Sequence, residues 1–179
     1  MTLPLFTIGH STRALAELIE LLKGAEVSAL ADIRTVPRSR TNPQFNGDTL
    51  PDALAITGIS YAHMAALGGL RPKSRTVSPD VNAFWTNESF HNYADYALSE
   101  EFQAGLGRLI EQGNKERCAI MCSEAVWWRC HRRIVSDYLI AHQREVFHIM
   151  GHGRVERARL TAGAVIRADA TVIYPATSG

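Results

Sequence analysis

A chain of 179 residues, 46% of them hydrophobic, has the size and composition of one folded domain and is not that of a disordered or fibrous protein. Nineteen Lys and Arg against 18 Asp and Glu leave a formal charge of +1, which excludes a global positive field for nucleic acid or membrane and makes any basic patch local. The start MTLPLF lacks a charged segment ahead of a long apolar run, and no stretch of about 18 apolar residues occurs, so the expectation is a soluble, cytoplasmic protein with no membrane partner.

Residues 5–9 are a short apolar, β-compatible run, and Leu15, Leu18, Ile19 and Leu22 follow at the spacing of a helix buried on one side. Gly24 is placed to close that helix in the left-handed conformation, after which residues 27–33 read as a second strand with Asp32 near its end. Asp48 or Thr49 is predicted to cap a short helix with Pro51 in its first turn and Gly58 beyond it, leading to a third strand at 59–62. Residues 89–98 and 100–112 read as helices, the second with Phe102, Leu106, Leu109 and Ile110 on one face and Gly113 after its end. A fourth strand at 118–122, a helix over 130–142 carrying Ile134, Val135, Tyr138 and Leu139, and a fifth strand at 146–150 complete the pattern. Strands separated by helices need crossovers, so the predicted fold is a single three-layer α/β domain over residues 1–179, a mainly parallel five-stranded sheet with helices on both faces. The first and fourth strands are expected to be neighbours, and the tail 152–179 receives no assigned element. Segments 34–47 and 63–87 are longer than ordinary connections and are candidates for function.

In an open parallel α/β sheet, ligands bind beyond the carboxyl ends of the strands, where helix N-termini also point. The predicted strand ends there carry His10, Ser11, Thr12 and Arg13; Asp32 and Arg34; His63; Cys122, Ser123 and Glu124; and His152. The turn Gly9-His10-Ser11-Thr12-Arg13 has the parts of an anion seat: a glycine for the bend, a hydroxyl to cap the helix, and an arginine. A plain helix cap with a solvated arginine fits the same five residues. Arg34, Arg38 and Arg40 lie within seven positions stiffened by Pro37, and guanidinium groups bind phosphate or carboxylate through two parallel hydrogen bonds. Asp32, just ahead of them, suits orientation of an arginine or work as a base.

The segment from Cys122 to Arg133 places a thiol at a strand end and a Cys130-His131 pair at a helix start, both settings in which neighbouring cations and a helix dipole lower a thiol pKa. Three cysteines, an odd number, suit free thiols better than a disulfide framework. Nucleophilic catalysis would use Cys122 or Cys130 with His131 or His10 as base. Metal binding is the weaker idea, because the C-x7-C-H spacing matches no compact zinc knuckle. Cysteines that are simply small buried apolar residues are a third reading. Trp127 and Trp128 stack a base in one reading and fill a gap in another.

The pieces IGHSTR, ADIRTVPRSR with the later NPQF, GISYAHMAALGGL, MCSEAVWWRCHRRIVSDYL and FHIMGHG resemble, in that order, the domain of unknown function 488 family. The resemblance runs from Phe6 to Gly153. It implies a compact α/β fold and no particular reaction. The signature positions it carries over are His10, Ser11 and Arg13; Asp32, Arg34, Pro37, Ser39 and Arg40; Leu67, Gly68 and Gly69; Cys122, Ser123 and Glu124; Cys130, His131 and Arg132; and His148.

Two functions are compatible with these residues. One is an enzyme, a hydrolase or transferase, acting on a phosphate- or carboxylate-bearing small molecule such as a nucleotide. Its anion is held by Arg13, Arg34, Arg40 and Arg132 with Ser11 and Ser123, and its catalytic groups are His10, Asp32, Cys122, Glu124 and His131. The other is a nucleic-acid binding or processing module contacting phosphates through residues 34–40, Arg71, Lys73 and Arg75. Carboxylates, thiol and histidines at one edge favour the enzyme. Arg13, Arg34 and Arg132 are each expected to find a carboxylate, Asp32 or Glu124, or an anion. The residues name no cofactor and no oligomeric state.

Overall fold

A computed structural model describes residues 2–177. Its strands are β1 (Leu5–Gly9), β2 (Ala29–Asp32), β3 (Ser60–His63), β4 (Cys118–Cys122), β5 (Val146–Gly151), β6 (Arg154–Arg157), β7 (Val165–Ile166) and β8 (Val172–Ile173). Its helices are α1 (Leu15–Gly24), α2 (Leu50–Ala55), α3 (Glu88–Tyr96), α4 (Glu100–Lys115) and α5 (Arg132–Ala141). The main sheet has the order β3-β2-β4-β1-β5-β6, with β1 to β5 parallel and β6 antiparallel to β5. β1 lies between β4 and β5, so the expected adjacency of the first and fourth strands holds.

The three layers follow from side-chain alternation along the strands. Phe6, Ile8, Leu30, Ala119 and Met121 face Leu18, Leu22, Leu50 and Leu54 of α1 and α2. Leu5, Ala31, Cys118, Ile120 and Cys122 face Tyr93, Phe102, Leu109, Ile134 and Tyr138 of α3, α4 and α5. Every residue of β1 and β4 is buried, because both faces of these central strands are covered, which is why they read as continuous apolar runs. The edge strand β3 is largely exposed.

Three local expectations are corrected. The sheet gains a sixth strand from the unassigned tail, whose exposed pattern (Arg154–Arg157) carries no apolar alternation to betray it. Gly24 is the last residue of α1, and the left-handed residue that turns the chain is Glu26 at φ 58°. Gly113 lies inside α4 rather than beyond it, packed so close to Leu5 that a Cβ there would sit 3.0 Å from its side chain. Gly58, by contrast, adopts φ 83° and does end its helix segment in a conformation that favours glycine. No helix among the described residues is long and apolar enough to cross a membrane.

Candidate functional site

The pairing of β1 with β4 ends at Gly9 opposite Cys122 and continues past the strands. His10 N–H donates to Cys122 O at 2.9 Å, and Ser11 N–H donates to Ser123 O at 3.0 Å. Glycine at position 9 is required by this approach, since a Cβ would fall 1.7 Å from Glu124 O. His10 and Cys122 thus share one crevice at the carboxyl edge, as the strand order implied. The crevice is a cavity of about 520 Å³. His10, Arg34, Cys122, Cys130 and His131 form part of its wall, and Ser123, Glu124, Arg38 and Arg129, all four exposed, stand at its mouth.

Asp32 and Arg34 are a buried, bidentate pair. Arg34 Nε and Nη2 donate to Asp32 Oδ1 and Oδ2 at 2.9 and 2.7 Å, and Nη2 also donates to Phe45 O at 2.6 Å. The second Asp32 oxygen further accepts the Tyr61 hydroxyl at 2.5 Å, and burial followed by this bond raises the Tyr61 pKa. Asp32 is fully buried, with both oxygens engaged, so it serves to orient Arg34 and is not a free base. Arg34 Nη1 reaches His10 Nε2 at 3.3 Å, while His10 Nδ1 lies 2.9 Å from Ser11 O. A carbonyl only accepts and a guanidinium only donates, which fixes His10 as the neutral tautomer with its proton on Nδ1. Burial, then the Arg34 charge, lowers its pKa, and the ring stacks on Phe45 at 4.4 Å. Four of the five Arg34 N–H groups are thereby engaged, one on Nη1 is left over, and Arg34 is part of the cavity wall.

The thiols have a different surrounding. Arg132, the first residue of α5, is completely buried. Its Nη2 donates to Glu124 O and Ala125 O at 3.1 and 3.0 Å, and among the described residues its Nε and Nη1 have no hydrogen-bond partner. No carboxylate among the described residues pairs with it. Burial would push the Cys122 thiol up, but a hydrogen bond from Cys130, the Arg132 charge and a backbone bond at Glu124 outweigh it and bring the pKa below the ordinary value. Cys130 is pushed well up by its own burial and by the same bond to Cys122. Of the two thiols Cys122 is therefore the more acidic, and its Sγ–H has a carbonyl acceptor, Glu124 O, at 3.7 Å. Cys130 Sγ also accepts the Arg132 N–H at 3.4 Å, at the amino end of α5, and stands 3.5 Å from His131 Nδ1. His131 Nε2 donates to Ile33 O at 2.9 Å, so Nδ1 carries the lone pair that faces Cys130. Burial holds His131 at about 4, hence neutral. Gly69 closes over this ring, and a Cβ there would meet His131 Nδ1 at 2.6 Å. Cys118, on the same sheet face but remote from these cations, is pushed up to about 12 by burial.

The remaining expected site residues divide. Arg13 is outside the cavity wall: its Nη1 donates to Glu17 at 2.7 Å and its other groups bond Gly9 O and Met150 O, so its carboxylate is neither Asp32 nor Glu124. The anion seat around it is engaged as well. The Ser11 and Arg13 amides bond Ser123 O and His10 O, and Ala14, not a hydroxyl residue, precedes α1. Ser11 stands at φ 49°, a turn residue. Arg40 is exposed and off the cavity. Arg132 meets the Glu124 backbone and not its carboxylate, which makes no ion pair among the described residues. Among the described residues, no three His, Cys, Asp or Glu side chains are grouped as a metal would need. Trp127 stacks flat on His148 at 4.6 Å, and His148 bonds Thr7 Oγ1 at 2.6 Å, so this tryptophan fills a gap. Arg129, Thr35, Leu70 and Phe90 line the cavity without a sequence signal that separates them from other loop and helix residues; Arg38 sat in the basic run with nothing to single it out from Arg40.

The fold and site define a parallel α/β protein, covered on both faces, with a buried thiol pair and an arginine-rimmed cavity at the carboxyl edge of its sheet. The chain belongs to the family described as Domain of unknown function DUF488, whose model matches residues 14–139. This is the family that the sequence motifs resemble. Comparison with curated proteins and with solved structures finds no match.

Proposed function

We propose that the cavity is the active site of a thiol-dependent enzyme, a hydrolase or transferase, acting on an anionic small molecule, with Cys122 as nucleophile. The observation that carries this reading is the fully buried Arg132, which among the described residues has no carboxylate partner and three unpartnered N–H groups, one on Nε and two on Nη1, and lowers the pKa of Cys122. A buried cation without a counter-charge is costly, and the Cys122 thiolate supplies one. A thiolate also is the nucleophilic form of cysteine. Cys122 attacks an electrophilic centre of the substrate, the leaving group departs towards the open mouth, and Glu124, exposed and unpaired there, is the base that activates water or an acceptor for release. His10 and Asp32 act through Arg34, holding its one remaining N–H towards the substrate.

The anionic substrate class rests on Arg34, Arg38 and Arg129 around a volume of small-molecule size. Arg38 has only a 3.6 Å contact to Asp48, both more than half exposed, and such a pair is weak enough to yield to a ligand. The nucleic-acid alternative loses three of its contacts, since Arg34 is buried on Asp32, Arg71 is engaged by Gly68 O, Ala65 O and the Tyr96 ring, and Trp127 lies on His148, while Arg38, Arg40, Lys73, Arg75 and Trp128 remain exposed.

Competition between a charged and a neutral alkylating agent tests both parts. Relative to a free thiol in solution, Cys122 should favour iodoacetate over iodoacetamide, phosphate should slow the reaction, and Arg38→Ala with Arg129→Ala should remove the preference. Silence of Cys122 to both reagents refutes the nucleophile, and an unchanged preference in the double variant refutes the anion rim.

A further inference from the structure

We propose that Cys122 and Cys130 form a redox couple: a hydroperoxide oxidises Cys122, and Cys130 closes it into an intramolecular disulfide that switches the nucleophile off. This rests on the Cys122 thiolate proposed above and adds to it a reaction and a regulation of the same site. Three observations lead to it. The two thiols line one cavity and pack in the same core cluster, close enough that each shifts the other's acidity. The chain between them is held at both ends, because Arg132 bonds Glu124 O and Ala125 O while Cys130 N–H donates to Trp127 O at 3.2 Å. Cys130 also has a base, His131 Nδ1 at 3.5 Å, which the mechanism of group transfer does not use. The third thiol, Cys118, has none of these: its one sulfur contact is the adjacent carbonyl of Ala119 at 3.9 Å.

The chemistry closes without a further reagent. The Cys122 thiolate attacks the terminal oxygen of the hydroperoxide, an S–O bond forms, the O–O bond breaks, and the alkoxide leaves and takes a proton from solvent. Cys122 is then a sulfenic acid. Cys130 gives its proton to His131 Nδ1 and attacks the Cys122 sulfur; the S–S bond forms, the S–O bond breaks, and the departing hydroxide takes that proton as water. Two thiols are oxidised by two electrons and the hydroperoxide is reduced to an alcohol and water. Arg132 then faces a neutral disulfide in place of a thiolate, which leaves its charge uncompensated and makes the oxidised form easier to reduce by an external dithiol.

The test treats the full chain with hydrogen peroxide at equimolar concentration, unfolds it in denaturant so that every remaining thiol is blocked by N-ethylmaleimide, and maps the products by mass. The expected product has lost two hydrogens, links Cys122 to Cys130, carries one label at Cys118, and regains all three thiols after dithiothreitol. Cys130→Ser, which is nearly isosteric, should instead leave a Cys122 sulfenic acid that dimedone captures. A wild-type protein in which Cys122 accumulates as sulfenic or sulfinic acid while Cys130 remains free overturns the couple, as does a disulfide that involves Cys118. If the protein before peroxide treatment alkylates rapidly at Cys122, only the redox couple has failed; if Cys122 is inert to peroxide and alkylating agent alike, the nucleophile has failed with it.

Discussion

Replacing Cys122 by serine keeps the shape of the side chain and removes its charge, so the cost of that change measures what Arg132 gains from the thiolate. Arg132 is fully buried and holds only two backbone carbonyls, with Nε and Nη1 unpartnered. Removing one member of a buried pair leaves an uncompensated charge, a cost of about 3–5 kcal/mol. Arg132→Met removes the charge but strands the Glu124 and Ala125 carbonyls, each about 1–3 kcal/mol. In the double variant the carbonyl cost remains and the charge cost vanishes, so the double change should cost about 3 kcal/mol less than the sum of the singles. Urea denaturation of the four proteins at pH 8 gives this coupling, and it should shrink at a pH low enough to protonate Cys122 in the wild type. Additive single changes at pH 8 would refute the pairing and return Cys122 to the role of a small core residue.

Acid should destabilise the fold through two histidines. Burial and then the Arg132 charge hold His148 at about 3, and burial holds His131 at about 4. Both are neutral when folded, whereas in the unfolded chain they bind protons below about pH 6.5, so stability present at pH 8 declines as the pH falls from 6.5 towards 4, by about 2 kcal/mol for each at pH 5. Denaturation midpoints between pH 8 and pH 5 check this, and His148→Gln should flatten part of the slope. Arg13→Lys, at a partly exposed contact with Glu17, should cost at most about 1 kcal/mol and leave the iodoacetate preference of Cys122 unchanged. An altered preference would bring Arg13 back into the anion site.

The strand order and the meeting of His10 with Cys122 were legible because they follow from chain-order signals: apolar runs, helical stripes, and the rule that crossovers build parallel sheets. Asp32 was readable as a partner of Arg34 because the two lie two residues apart on one strand end. The choice among arginines was not. Arg13 and Arg132 differ in nothing local that says one will pair with Glu17 and the other will be buried without a carboxylate; that is decided by how β1, β4 and α5 approach one another. The thiol readings stayed open for the same reason, since Cys122 and Cys130 meet on one cavity wall across the turn at Trp127–Arg129 only once α5 is packed. β6 was missed because its four exposed residues bury nothing.

The central claim is that Cys122 is a thiolate at neutral pH, and the rate of its alkylation by iodoacetamide as a function of pH, resolved residue by residue by peptide mass, tests this most directly. Cys122 should label with an apparent pKa below the ordinary cysteine range, near 8.5 for a free thiol, while Cys118, pushed up to about 12, stays unlabelled across the range. Labelling of Cys122 that begins only above about pH 9, in step with Cys118, would contradict the account.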